Sequence, residues 1–354
     1  MASPSPVASP AAVPAWAAMH ASCSGQATSL EAVLVMQGSS SPIVADVTDA
    51  KNPRPICTLS GGSFQPRLVT QTMVSWYASQ GSPGAPGSSL IGALDLFTGT
   101  AIVAASWQGG SFLDGLHAWS PDRGFLAYVT SDPTAVNLHL LSGGGDRVVA
   151  TLGAVPGRGM NPNEDDAYLT FSPDGGYFAF VQTFTGSGDQ LQVHRTTDGS
   201  VAFSLPTGTM ASWGTTGSKL YFRQAGSGAI LAWDSSSGVS QAIGQSLVWI
   251  HPRADAGDDN LAFTVRDSSD TPHVWLYGHG GRSGGELQPV RSSAEWLNST
   301  TIFYVEEAAC SPNCGIGPAW QPDGKTFTFD LAQQAETASR ISAVYGAWPR
   351  PGQV

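Results

Sequence analysis

Charge is sparse in this chain. Only 12% of its 354 residues are Asp, Glu, Lys or Arg, and just three are lysine: Lys51, Lys219 and Lys325. The formal net charge is −11, with no run of Lys or Arg to set against it. A phosphate backbone would find no footprint on such a surface, so nucleic acid is excluded as the expected partner. No stretch of 18 consecutive apolar residues occurs, so no membrane-spanning helix is expected. Segments rich in Ala, Glu, Lys and Leu at helical spacing are missing as well, which argues against a helical fold. No basic n-region followed by an apolar core opens the chain, and no secretory signal is read there.

What the chain has in quantity is glycine, at 42 residues, and proline, at 24. Many short strands joined by Gly, Ser and Pro turns fit that balance, and all-β folds of this length often form one domain. Residues 1–27, rich in Pro, Ala and Ser, are expected to be a flexible tether like those that follow an export signal or anchor. An ordinary disordered tail is the alternative. Of the four cysteines, Cys310 and Cys314 frame a Ser-Pro-Asn turn, for which a local disulfide is the simplest account. Free thiols and a metal site are the alternatives, although no adjacent histidine supplies a ligand. Cys23 and Cys57 flank the earliest strands and form a second candidate pair. Disulfides would place the chain in an oxidising compartment.

One stretch occurs twice. Trp119-Ser120-Pro121-Asp122-Arg123-Gly124 precedes an apolar run at 125–130, and Phe171-Ser172-Pro173-Asp174-Gly175-Gly176 precedes another at 177–182. An aromatic, a tight turn and a new strand describe a hairpin corner. Weaker copies begin at Phe64, Trp213, Trp249, Trp296 and Trp348, and further second strands are expected at 219–223, 261–265 and 301–305. A polar column also recurs in the third strands: Asp46, Asp95, His139, His194, Asp234, Tyr277 and Asp330. In most copies a glycine turn follows it, which suits a side chain that hydrogen-bonds its own backbone. Spacings of 36 to 55 residues between corners are those of propeller blades with four strands each.

Before Phe64 lie three strands without an inner partner, and after the last full repeat lies an unaccompanied inner strand ending at Trp348. Joined, they make a seventh blade and leave no open edge in the ring. The fold class is therefore all-β, a seven-bladed propeller closed by N- and C-terminal strands in one shared blade, with six as the fallback count. Trp320-Gln-Pro-Asp-Gly-Lys325 imitates a corner but falls only 24 residues after Trp296, and is assigned to an insertion between second and third strands.

The corner, the apolar strand after it and the Asp before a Gly turn resemble the TolB-like propeller repeats, across residues 28–354. That resemblance implies a scaffold, commonly extracytoplasmic in bacteria and often protein-binding. It carries over no catalytic residue, because the matched columns are structural.

In such a ring the Ser-Pro-Asp turns share one face. The long segments 80–89, 107–113, 154–166 and 307–325 gather on the other, and binding residues concentrate on long loops of a rigid scaffold. Candidate ligand-binding residues there are Asn161, Asn163, Glu164, Asp165 and Asp166, with Trp320, and with Asp114 and His117 where an inner strand could face the channel. The acidic group suits a divalent cation, but the calcium-loop spacing is absent and a solvated loop explains it too. Asp255-Ala-Gly-Asp258-Asp259-Asn260 falls on the opposite face and reads as a hairpin turn. Gly281-Arg-Ser283-Gly-Gly285 matches a nucleophile-elbow pattern but has no helix after it. No cofactor is otherwise expected. The leading expectation is a monomeric, non-catalytic, extracytoplasmic module binding a protein, peptide or glycan. The rival is a metal-dependent carbohydrate-active lyase or hydrolase with its site at the channel mouth.

Overall fold

A computed structural model of the chain describes residues 12–24, 32–36, 41–61, 66–80, 87–108, 115–131, 135–153, 168–184, 188–214, 217–245, 249–254, 260–267, 269, 271–278, 285–298, 300–309 and 320–348. The Ser-Pro-Asp corners show how the sequence sets its own geometry. In the first, the Ser120 hydroxyl donates to Asp122 Oδ1 (2.6 Å) and accepts from the Phe125 amide (2.9 Å), while Asp122 Oδ1 accepts from Gly124 (3.0 Å). Ser172 and Asp174 repeat those bonds to Gly176 and Tyr177. Two short side chains thus satisfy the turn amides, and the chain reverses without help from any other blade.

Around these reversals the strands form seven antiparallel sheets. Blade 1 comprises Arg67–Thr70, Met73–Gln80, Ser88–Asp95 and Ala101–Gln108; blade 2 His117–Trp119, Phe125–Ser131, Ala135–Ser142 and Gly145–Gly153. Blade 3 follows with Leu169–Phe171, Tyr177–Phe184, Gly188–Arg195 and Val201–Leu205, and blade 4 with Gly208–Trp213, Lys219–Gln224, Ala229–Asp234 and Ser240–Gln245. Blade 5 is Trp249–Ala254, Asn260–Arg266, Pro272–Gly278 and Gly285–Pro289; blade 6 is Arg291–Trp296, Thr301–Ala309, Trp320–Asp330 and Ala335–Ala338. The seventh joins the two ends of the chain: Ala343–Trp348 pairs with Ala32–Met36, followed outward by Pro42–Asp46 and Arg54–Gly61. The seven-bladed, end-closed ring expected from the repeats is therefore the fold.

Apolar clusters fill the seams, one of them spanning two. Tyr128 and Leu126 meet Ile91 between blades 1 and 2, and Phe178, Leu191 and Trp213 tie blades 2, 3 and 4. Tyr221 and Phe263 join blades 4 and 5, Tyr304 and Val274 blades 5 and 6, Ile43 and Phe303 blades 6 and 7, and Trp76 and Leu59 blades 7 and 1. Burial between blades is the main source of stability, because no blade covers its own apolar face alone.

Several expectations are corrected. Met19–Cys23, assigned to the tether, is a fifth strand on blade 7, so ordered structure begins before residue 28. Phe64 lies outside the described residues, and Trp249 does not end an inner strand. Blade 1 turns at Gln71 and Thr72, and Trp249 starts its strand. Pairing with the first residue of each second strand gives the third-strand column as Asp46, Asp95, Ser142, Arg195, Asp234, Gly278 and Asp330. His139, His194 and Tyr277 lie outside it. The four aspartates do bond the amides that follow, as Asp95 Oδ1 does with Phe97 and Thr98. Trp320 to Lys325, assigned to an insertion between second and third strands, instead belongs to the long third strand of blade 6, with Trp320 opposite Ala309.

Candidate functional site

Alternating strand direction sends the second-to-third and fourth-to-first connections to one end of the ring. Pairs Gln80–Ser88, Ala135–Gly153, Phe184–Gly188 and Ala309–Trp320 are the stems from which these segments leave. Asp114, Asn161, Asn163, Glu164, Asp165, Asp166, Cys310 and Cys314 lie outside the described residues, as do 255–259 and 281–284. Trp320 is described by its backbone pairing alone.

His117 begins the inner strand of blade 2, but its ring is buried in the seam with blade 1, 1% exposed. Nδ1 lies 2.8 Å from the Gly115 carbonyl, which only accepts, so this nitrogen carries the proton. Nε2 is 2.9 Å from the Ser75 hydroxyl, and Arg67 Nη1 donates to the His117 carbonyl at 3.0 Å. An imidazole bonded at both nitrogens is a clasp between blades, which corrects the expectation of a channel-facing ligand. Beside it Arg67, Val69, Trp119, Pro121 and Phe171 line a crevice between the inner strands of blades 1 to 3. Among the described residues the buried indole nitrogen of Trp119 has no hydrogen-bond partner.

A row of rings crosses the same seam nearer the loop stems. Tyr77, Trp107, Tyr128 and His139 stack in succession at 6.0, 5.5 and 4.6 Å between centroids. His139 Nε2 is 2.9 Å from Thr130 Oγ1 and Nδ1 is 3.1 Å from Asp146 Oδ2, which also accepts from the Tyr128 hydroxyl at 2.7 Å. Burial and that carboxylate hold the Tyr128 phenol well above its ordinary range, so it stays a donor. Hydroxyl, imidazole and carboxylate stand in relay order, but Tyr128 covers the imidazole face, and the group packs as a cross-strand assembly. Sequence reasoning missed Thr130, Asp146 and Trp107. The Gly143-Gly144 turn sets the outer hairpin register and would have brought His139 and Asp146 near one another.

Blade 6 gathers charge at the stem of the 310–319 segment. Arg291 bonds Glu306 (2.5 Å) and reaches Glu336 (3.4 Å), passing over the Phe327 ring at 4.3 Å. Lys325 binds Glu306 and Asp323 at 2.5 and 2.7 Å. Hydrogen bonds to those two carboxylates raise the Lys325 pKa. Among the described residues no group of three or more His, Cys, Asp or Glu converges as metal ligands, and no helix is long and apolar enough to cross a membrane. Cys23 and Cys57, directly paired across two strands, form a disulfide.

No family model and no curated protein sequence matches the chain. Among solved structures, a putative 6-phosphogluconolactonase from Bacteroides uniformis is similar at 11% identity, with 90% of this chain and 98% of that one covered and a TM-score of 0.53. The β-propeller domain of the trilobed protease from Pyrococcus furiosus has 10% identity over 78% and 83% of the two chains, with a TM-score of 0.52. That domain is described as having an open velcro topology, whereas strand pairing closes the ring here. TolB from Acinetobacter baumannii has 13% identity over 89% and 81%, with a TM-score of 0.46. Likeness at such identities establishes a fold, and this chain is a seven-bladed β-propeller, consistent with its TolB-like corner repeats.

Proposed function

We infer that this propeller is a non-catalytic binding module that works outside the cytoplasm and holds a protein, peptide or glycan on its loop-rich face. The observation that carries this reading is the asymmetry of the two ends. One is closed by short self-bonded turns at 120–125, 172–177, 95–99 and 234–238. The other receives the long segments 154–167 and 310–319 on rigid stems. A rigid ring with long connecting segments at one end can present a binding surface without reorganising the fold. The Cys23–Cys57 disulfide supports an oxidising compartment.

The test is binding of the whole chain to peptide and glycan arrays, repeated with Asn161, Asn163, Asp165 and Asp166 all changed to Ala. The expected result is a ligand class whose signal falls at least tenfold in that variant while the thermal transition is unchanged. Equal binding by variant and parent would remove the loop-rich face from consideration.

A further inference from the structure

Among the described residues blade 7 alone has five strands, and its extra outermost strand is Met19–Cys23. The segment leading into it, with a single turn at Ala15–Ala17, runs across the seam to blade 1. There the Trp76 indole nitrogen donates to the Ala17 carbonyl at 2.9 Å, and Ala17 and Met19 are buried. Cys23 Sγ sits 3.1 Å from the Leu96 carbonyl oxygen of blade 1. At the other end of the pairing, Gly61 adopts φ 73°, and a Cβ there would lie 2.5 Å from the Ala18 oxygen. The edge is shaped to take this backbone. Yet only Ala17 and Met19 anchor it by full burial, since His20 and Ser22 are exposed and Ala21 and Cys23 half-buried.

We propose that segment 12–24 is a redox-gated strap: the closed Cys23–Cys57 bond keeps it on the outer edge of blade 7, and reduction releases it, uncovering that edge and the Trp76 side of the seam. Weak apolar anchoring makes the covalent bond decisive. It ties positions 34 residues apart and denies the strap its freedom when the edge pairing opens. The reductant is a dithiol. Its thiolate attacks the half-buried Cys23 sulfur, the bond to Cys57 breaks, and Cys57 leaves as a thiolate that takes a proton. The second thiol then attacks the mixed disulfide and frees Cys23. Two electrons and two protons pass from the dithiol, which ends as its own disulfide.

Hydrogen exchange on the full chain tests this, with the oxidised protein compared with protein in dithiothreitol. Amides of 19–23 and 57–61 are expected to exchange at least about tenfold faster after reduction. Those of Ala32–Met36 and Ala343–Trp348, which close the ring, should not change. A Cys23→Ser, Cys57→Ser variant should show the released pattern without reductant, which separates the effect from reduction of any other bond. Unchanged protection at 19–23 in both samples would overturn the proposal. So would an equal loss throughout the ring, which would make the disulfide a global brace.

Discussion

Arg123 and Gly175 hold the same place in successive corners, and both have left-handed backbones, with φ of 62° and 71°. Each amide donates to the carbonyl of the corner serine, so the turn demands this conformation whichever residue sits there. For an L-residue it costs roughly 1 kcal/mol that glycine avoids. Arg123→Gly is expected to raise unfolding free energy by about 1 kcal/mol, and Gly175→Ala to lower it by a similar amount. A Cβ on Gly175 would meet only Pro121 Cδ, at 3.7 Å, so the penalty there is conformational. Denaturant titration of both variants measures it, and a destabilised Arg123→Gly protein would refute the account.

Gly92 is required by a neighbour. A Cβ at this position would lie 2.3 Å from the Trp76 ring, which is wholly buried. Gly92→Ala is expected to cost about 3 kcal/mol by overpacking. In Trp76→Leu the clash partner is smaller, so the same glycine change should cost much less. A double-mutant cycle reads that coupling directly, and additive effects would count against the contact.

Two histidines should oppose one another in their response to pH. Burial lowers the His194 pKa, against a smaller upward pull from the Gly199 carbonyl. Its contribution is full above the unfolded value near 6.5 and is lost as pH falls through the folded value. At His273, burial pulls the pKa down, but bonds to Glu286 and Asp267 together outweigh it and raise the folded value. That contribution is full below about 6.5 and is lost as pH rises through the folded value. Comparing stability at pH 5.5 and 8, His194→Gln should shift the balance toward acid and His273→Gln toward base. Shifts of the same sign would show one environment to be misassigned.

Acid should also loosen the turns. Hydrogen bonds from Thr98 to Asp95, Ser120 to Asp122 and Ser236 to Asp234 lower these carboxyl pKa values. Depressed folded values mean stability present above the ordinary carboxylate range and lost as pH falls through them. Changing all three to Asn should flatten the decline in melting temperature below about pH 4. A decline as steep as the parent's would assign it elsewhere.

Much of the fold was legible because its signals are local. The bonds of Ser120 and Asp122 span a few residues, so the repeat announces its own turn. Trp348 could be recognised as an orphan inner strand because its partners had to come from the other terminus. Trp320-Gln-Pro-Asp-Gly-Lys325 carries the same local signal, and its short distance from Trp296 led to its assignment as an insertion. Asp323 bonds the Lys325 amide much as Asp122 bonds Gly124, but pairing with Thr301–Ala309 makes the segment a strand. Met19–Cys23 passed for tether because five residues with one buried apolar side chain have no periodicity to detect.

The sequence by itself determined the propeller architecture and the closure at the ends, and pointed to seven blades over six, through turns whose hydrogen bonds reach two to five residues. Only the tertiary structure decided which side chains meet across seams. Arg67 reaches His117, 50 positions away, and Trp76 reaches Ala17, 59 away. These meetings depend on the rotation of one sheet against the next, which is set when apolar faces pack together. His117 therefore lay in a strand that could be foreseen, and in a direction that could not.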